Sequence, residues 1–170
     1  MPVVRSAPSP AKRVLLVGWD GADWKIASPL LDAGELPQLA TLVSHGASGP
    51  LASLPPYLSP MLWNSIATGK YADRHGILGF TTTDPATGKL AAITSTQRRC
   101  KALWNILGEH ALVAHVIGWF ASHPAENTTG ICVTEALPRP VPRGAPWPLP
   151  PGSVHPPDLA DDFAGLRLRP

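Results

Sequence analysis

The stretch RVLLVGWDG, residues 13–21, sets the tightest limit on what this chain can fold into. Four consecutive large apolar residues do not alternate, so the segment reads as a strand buried on both faces, ended by Asp20 and Gly21. The pattern then turns helical. Asp23 is placed to cap a helix running through Leu30 and Leu31, with Gly34 as its stop, and residues 36–47 set Leu36, Leu39, Leu42 and Val43 at helical spacing. SGPLASL, residues 48–54, is a plausible second strand. Further on, KALWNILGEH reads as an amphipathic helix burying Leu103, Trp104, Ile106 and Leu107, while LVAHVIGW and GICVTE read as buried strands. Alternation of strand and helix predicts an α/β fold, doubly wound, with a mainly parallel sheet and helices on both faces.

Other segments decorate that core. Residues 81–99 are rich in Thr, Pro and Gly and read as a loop or small hairpin. Nine of the 21 prolines fall in residues 137–157, which predicts an extended connector, because proline can neither continue a helix nor donate to a ladder. The expected organisation is a disordered tail over 1–12, a core over 13–136, the proline-rich connector over 137–157 and the start of a helical segment over 158–170.

The balance of charge narrows the function. A net charge of +2 with 15% charged residues lacks the footprint of a nucleic-acid binder, and the short cluster Arg98-Arg99-Cys100-Lys101 reads as a solvated face. Cys100 and Cys132 have no zinc-knuckle spacing and read as idle thiols. No apolar stretch is long enough for a membrane span or a secretory leader, so a cytoplasmic location is expected, with no membrane partner. Composition leaves the oligomeric state open.

Chemistry concentrates in LPPYLSPMLWNSIATGKYADRHGILGF, residues 54–80. Ser59 followed by Pro60 has the form of a helix start, so the serine is either a cap or a hydroxyl placed where anions are stabilised. Asp20, at the expected carboxyl end of the first strand, is either a turn residue or a ligand at the crevice where parallel sheets bind substrates. A carboxylate and a serine oxygen sharing a divalent cation suit attack on an anionic phosphorus or sulfur centre. ATGKY is not a phosphate-binding loop, since Asn64 stands where that motif needs glycine and Tyr71 where it needs Ser or Thr. His75 with Gly76 reads as a turn histidine. His123 and Glu126 form an incomplete pair of metal-binding types in a loop near the active face.

These residues carry a resemblance. VLLVGWDGADW, then LSPMLWNSIATGKYADRHGILGF, ITSTQRRCKALWNIL and VIGWFASHPAE, resemble the N-terminal part of the type I phosphodiesterase/nucleotide pyrophosphatase family, within the alkaline phosphatase superfamily, over roughly residues 13–135. The order Ser59, Thr68-Gly69, His75-Gly76-Ile77 is its most specific element. The resemblance implies an alkaline-phosphatase-like core, incomplete here, and hydrolysis of a small phosphoester through a covalent intermediate on Ser59. It also implies two divalent metal ions, usually zinc, with Asp20 and Ser59 ligating one, and backbone at Pro60 and Met61 holding the substrate's oxygens. The family's downstream ligands, an Asp-His pair and an Asp-x-x-x-His, have no counterpart in the chain. The expectation is therefore an N-terminal fragment that lacks the second metal site and is poorly active alone. A catalytically silent α/β binding module and a sulfatase or phosphomutase relative are the alternatives.

Overall fold

Glycine and proline stops cut this chain into short elements, and side-chain caps decide where several of them begin. The computed structural model describes residues 12–138 and 145–167. The expected tail, apart from Lys12, and residues 139–144 of the expected connector lie outside the described residues. The chain divides into two compact units, Met1–Ala52 and Ser53–Pro170.

In the first unit, α1 (Trp24–Asp32) starts where the Asp23 carboxylate accepts the Lys25 N–H at 2.9 Å, replacing a hydrogen bond the first turn cannot make internally. Gly34 takes the left-handed conformation just past its end, at φ +76°. A proline at the first position opens α2 (Pro37–His45), and the Trp24 indole donates to the Gly49 carbonyl at 3.2 Å. Both helices match their sequence signals. The two expected strands do not form. Residues 13–18 and 48–54 have no ladder partner among the described residues, and Leu15 stands 87% exposed. An apolar run states a preference for burial, whereas a strand exists only with a neighbour to accept its hydrogen bonds.

The second unit begins with α3 (Ser59–Thr68), stopped by Gly69 at φ +64°, and α4 (Ala72–His75), stopped by Gly76 at φ +81°. A hairpin follows, β1 (Thr81–Thr83) antiparallel to β2 (Leu90–Ala92), as the loop composition allows. A 3-10 turn over Ser95–Gln97 is capped through Thr94 and Gln97. It leads to α5 (Leu103–Glu109), where the Asn105 side chain accepts the Ala102 N–H at 2.8 Å. A three-stranded sheet has the order β3 (Val116–Ile117), β4 (Cys132–Val133), β5 (Val154–His155). β3 and β4 are parallel, and β4 and β5 antiparallel. A final helix, α6 (Ala160–Gly165), packs beside β5.

The α/β class is borne out in this mixed form, but the doubly wound parallel sheet is not. The pairings of the sheet are two residues long and one of its two junctions is antiparallel. The proline-rich segment is also more than a connector: Val154 and His155 carry N–H groups between the prolines, and Val154 is buried in a cluster with Val133 and Leu137. A second cluster gathers Ala67, Ala102, Trp104, Ala114, Val116 and Cys132, with Leu107 and Trp119 packed on it. On α5, Trp104 and Leu107 face this core as expected, while Leu103 and Ile106 are exposed. The Cys132 thiol is pushed up to about 11 by burial, which keeps it unreactive.

The turn into β4 has a steric test. A Cβ on Gly130 would lie 2.5 Å from the Ala114 carbonyl oxygen, a backbone atom two residues before β3. Gly130→Ala is expected to cost about 1–3 kcal/mol through overpacking, read as a lower urea midpoint. Gly165→Ala, with no atom within 4 Å of the added carbon, is expected to leave the midpoint unchanged or raise it.

Candidate active site

The site is built around the head of α3. Ser59 is the first residue of this ten-residue helix, and Leu58, not Ser59, occupies the cap position, with no side-chain cap bond. Ser59 stands in the first turn, where N–H groups have no carbonyl four residues earlier and the helix dipole favours negative charge. The first bond of the helical ladder runs from the Leu62 N–H to the Leu58 carbonyl at 3.0 Å. Of the two residues expected to offer backbone donors, Pro60 has no N–H and only Met61 qualifies.

Three polar side-chain groups hold α3 from behind. Asn64 is fully buried, and its amide nitrogen donates to the Pro60 carbonyl at 2.8 Å and to the Phe120 carbonyl at 3.4 Å. Trp119, in the loop after β3, donates its indole N–H to the Trp63 carbonyl at 3.1 Å, and its ring meets Trp63 edge-on at 5.2 Å. His75, fully buried on α4, is the third. The Ile77 N–H donates to its Nδ1 at 3.1 Å, so the proton of the neutral ring sits on Nε2, which lies 3.1 Å from Ser65 Oγ. The Met61 carbonyl also accepts from this ring. Thr68 Oγ1 donates to the Asn64 carbonyl at 2.6 Å and accepts the Lys70 N–H, so the Thr-Gly stop is held by its own side chain.

His75 is a framework residue in this geometry, as the turn reading of the sequence allows. Burial lowers its pKa, the Arg98 charge lowers it further, and the Met61 bond and Asp73 oppose them. A second proton would also face the Ile77 N–H.

The loop after β3 lies at the carboxyl end of a strand in a parallel pair, where α/β sheets place ligands. Ala121 is buried there at φ +56°, a left-handed conformation that an L-residue keeps only when its surroundings enforce it. The enforcement is visible in the Ser122 N–H and Oγ, which donate to the Glu135 carboxylate at 3.0 and 2.7 Å. Beside them, His123 Nδ1 lies 3.3 Å from Thr134 Oγ1. Glu126 takes the Arg98 guanidinium on one oxygen and the Trp104 indole N–H on the other, so its carboxylate is engaged within the fold.

Asp20 is exposed in the first unit, between Trp19 and the left-handed Gly21. Ser59, His75, His123 and Glu126 all belong to the second. Among the described residues, no three His, Cys, Asp or Glu side chains gather to hold a metal ion, so these residues alone do not make a closed metal centre. The sequence reading missed Asn64 and Arg98 as partners of the site. The signal for Asn64 was present: it lies on the same helical face as Pro60, Ala67 and Thr68, and a polar side chain on an apolar face needs a buried partner.

The chain thus carries a serine at the head of a helix whose buried side is fixed by polar bonds, on a mixed α/β scaffold. A family model, Type I phosphodiesterase / nucleotide pyrophosphatase, matches residues 14–167, and the chain belongs to that family. The family acts on small phosphoesters and is generally metal-dependent. No curated protein and no solved structure matches the chain. No helix among the described residues is long and apolar enough to cross a membrane.

The lowered pKa of His75 fixes the sign of a pH effect. The unfolded chain binds the proton at higher pH than the native state, so stability is full above the ordinary histidine value and falls as pH drops below about 6.5. Urea midpoints measured down that range are expected to decline, and the decline to shrink in His75→Gln.

Proposed function

We propose that the chain is a phosphoester hydrolase acting through a covalent intermediate on Ser59. The observation that carries the reading is the position of Ser59 in the first turn of α3, in a chain matched along nearly its whole length by a family of phosphodiester and pyrophosphate hydrolases. The serine oxygen attacks phosphorus as the ester oxygen departs, and water later cleaves the phosphoseryl bond. The Met61 N–H and the dipole of α3 stabilise the charge that develops on the non-bridging oxygens. Asn64, His75 and Trp119 keep this helix from recoiling.

Two divalent ions, zinc in the reading drawn from the resemblance, belong to this proposal, with Asp20 and Ser59 as ligands from this chain. The substrate is a small phosphoester of the phosphodiester or nucleotide pyrophosphate type.

Hydrolysis of bis(p-nitrophenyl) phosphate with added zinc tests the reading. Ser59→Ala is expected to lower kcat by about 1,000-fold or more, the scale on which loss of a nucleophile acts. Asp20→Asn is expected to cost about 100-fold and to weaken the response to zinc. Circular dichroism of both variants is expected to match the parent. Turnover retained in Ser59→Ala contradicts the assignment.

A further inference from the structure

A charged side chain lies buried behind the proposed nucleophile, and the chemistry described above does not use it. The guanidinium-bearing side chain of Arg98 is only 2% exposed, against the solvated face its basic cluster suggests. It is ion-paired to Glu126, stacks over the Trp104 ring at 5.1 Å, and directs Nη1 toward Asn64 Oδ1 at 3.5 Å. Its Nε is buried with no hydrogen-bond partner among the described residues. The 3-10 turn that delivers it is tied to the loop after β3, since the Ser95 N–H donates to the His123 carbonyl at 2.8 Å and Ser95 Oγ to the Pro124 carbonyl at 2.7 Å.

We infer that Arg98 is a positioning residue for Ser59, acting through Asn64. An amide side chain can present its oxygen and nitrogen either way round; the Arg98 cation beside Oδ1 selects the orientation that turns Nδ2 toward the Pro60 and Phe120 carbonyls. Pro60 follows Ser59 directly, so this orientation ties the first turn of α3 to the loop after β3. Glu126 and the Trp104 ring balance the buried charge and fix the guanidinium plane. Stability alone does not require this arrangement, because a buried ion pair replaced by neutral groups of similar volume is often no less stable. A guanidinium kept there, with one N–H left unpaired, is retained for the orientation it imposes. This inference rests on Ser59 being the nucleophile.

The test uses the paired variant Arg98→Met with Glu126→Gln, which removes both charges and leaves no uncompensated carboxylate. Its urea midpoint is expected to stay close to the parent's. Native-state hydrogen exchange is expected to quicken by about tenfold at the Leu62 and Trp63 amides, the first of the α3 ladder, while the Ala67 and Thr68 amides keep the parent's rates, a local opening separate from global unfolding. In the phosphodiester assay, kcat is expected to fall by about 10- to 100-fold with KM nearly unchanged, the cost of a misplaced reacting group. Asn64→Asp, which puts an acceptor where the Nδ2 donor was, is expected to open the same amides with Arg98 intact. Parent-like exchange at Leu62 and Trp63 in the paired variant overturns the inference, as does a uniform rise along α3. If the parent shows no Ser59-dependent turnover, the functional reading fails, and the exchange pattern still decides whether Arg98 orders the head of α3.

Discussion

The hold on the buried side of α3 is the constraint on which the rest of the site depends. A helix head that offers a hydroxyl and unpaired amides to an anion gains nothing from its own ladder at that end, so its position has to come from elsewhere. Here it comes from behind: Asn64 reaches the Pro60 and Phe120 carbonyls, Trp119 reaches the Trp63 carbonyl, and His75 meets Ser65 and Met61. Each bond is made in or next to the apolar core, where a polar group left without a partner costs far more than the bond itself contributes. The loop after β3, which supplies the Phe120 carbonyl and Trp119, is distant in sequence from α3, which makes the head of the helix a tertiary feature.

That distribution explains what was legible in the sequence. Ser59, Thr68-Gly69 and His75-Gly76 mark the ends of α3 and α4, and local stereochemistry alone places such marks: a proline after the first residue, and glycines where the chain turns left-handed. The helix α1 was legible through Asp23 and Gly34, and α2 through the helical spacing of Leu36, Leu39, Leu42 and Val43. Residues 13–18 were misread because apolar content reports where side chains prefer to be, while strand structure needs a partner that the sequence does not name. Val154 and His155 were lost among prolines, although two unsubstituted amides suffice for a short ladder.

The site divides along the same line. Ser59 was found from its neighbours in sequence, and the fold puts Leu58, one residue earlier, at the cap position. Arg98 was read as solvated because it opens the short basic cluster Arg98-Arg99-Cys100-Lys101. Its burial follows from Glu126 and Trp104, which lie 28 and six residues away and give the cation a carboxylate and an aromatic face. His75 was read as a turn histidine, and its ring nitrogen that accepts the Ile77 N–H is spent on the fold.

The central claim is that Ser59 carries the phosphoryl group in a covalent intermediate. The most direct measurement is acid quenching of the protein during turnover of a phosphodiester with added zinc, followed by proteolysis and mass spectrometry of the α3 peptide. The account predicts one added phosphoryl or phosphoester group on the peptide containing Ser59, localised to that serine by fragmentation and absent from Ser59→Ala. Turnover with the α3 peptide unmodified, or with the added group on another residue, would contradict it.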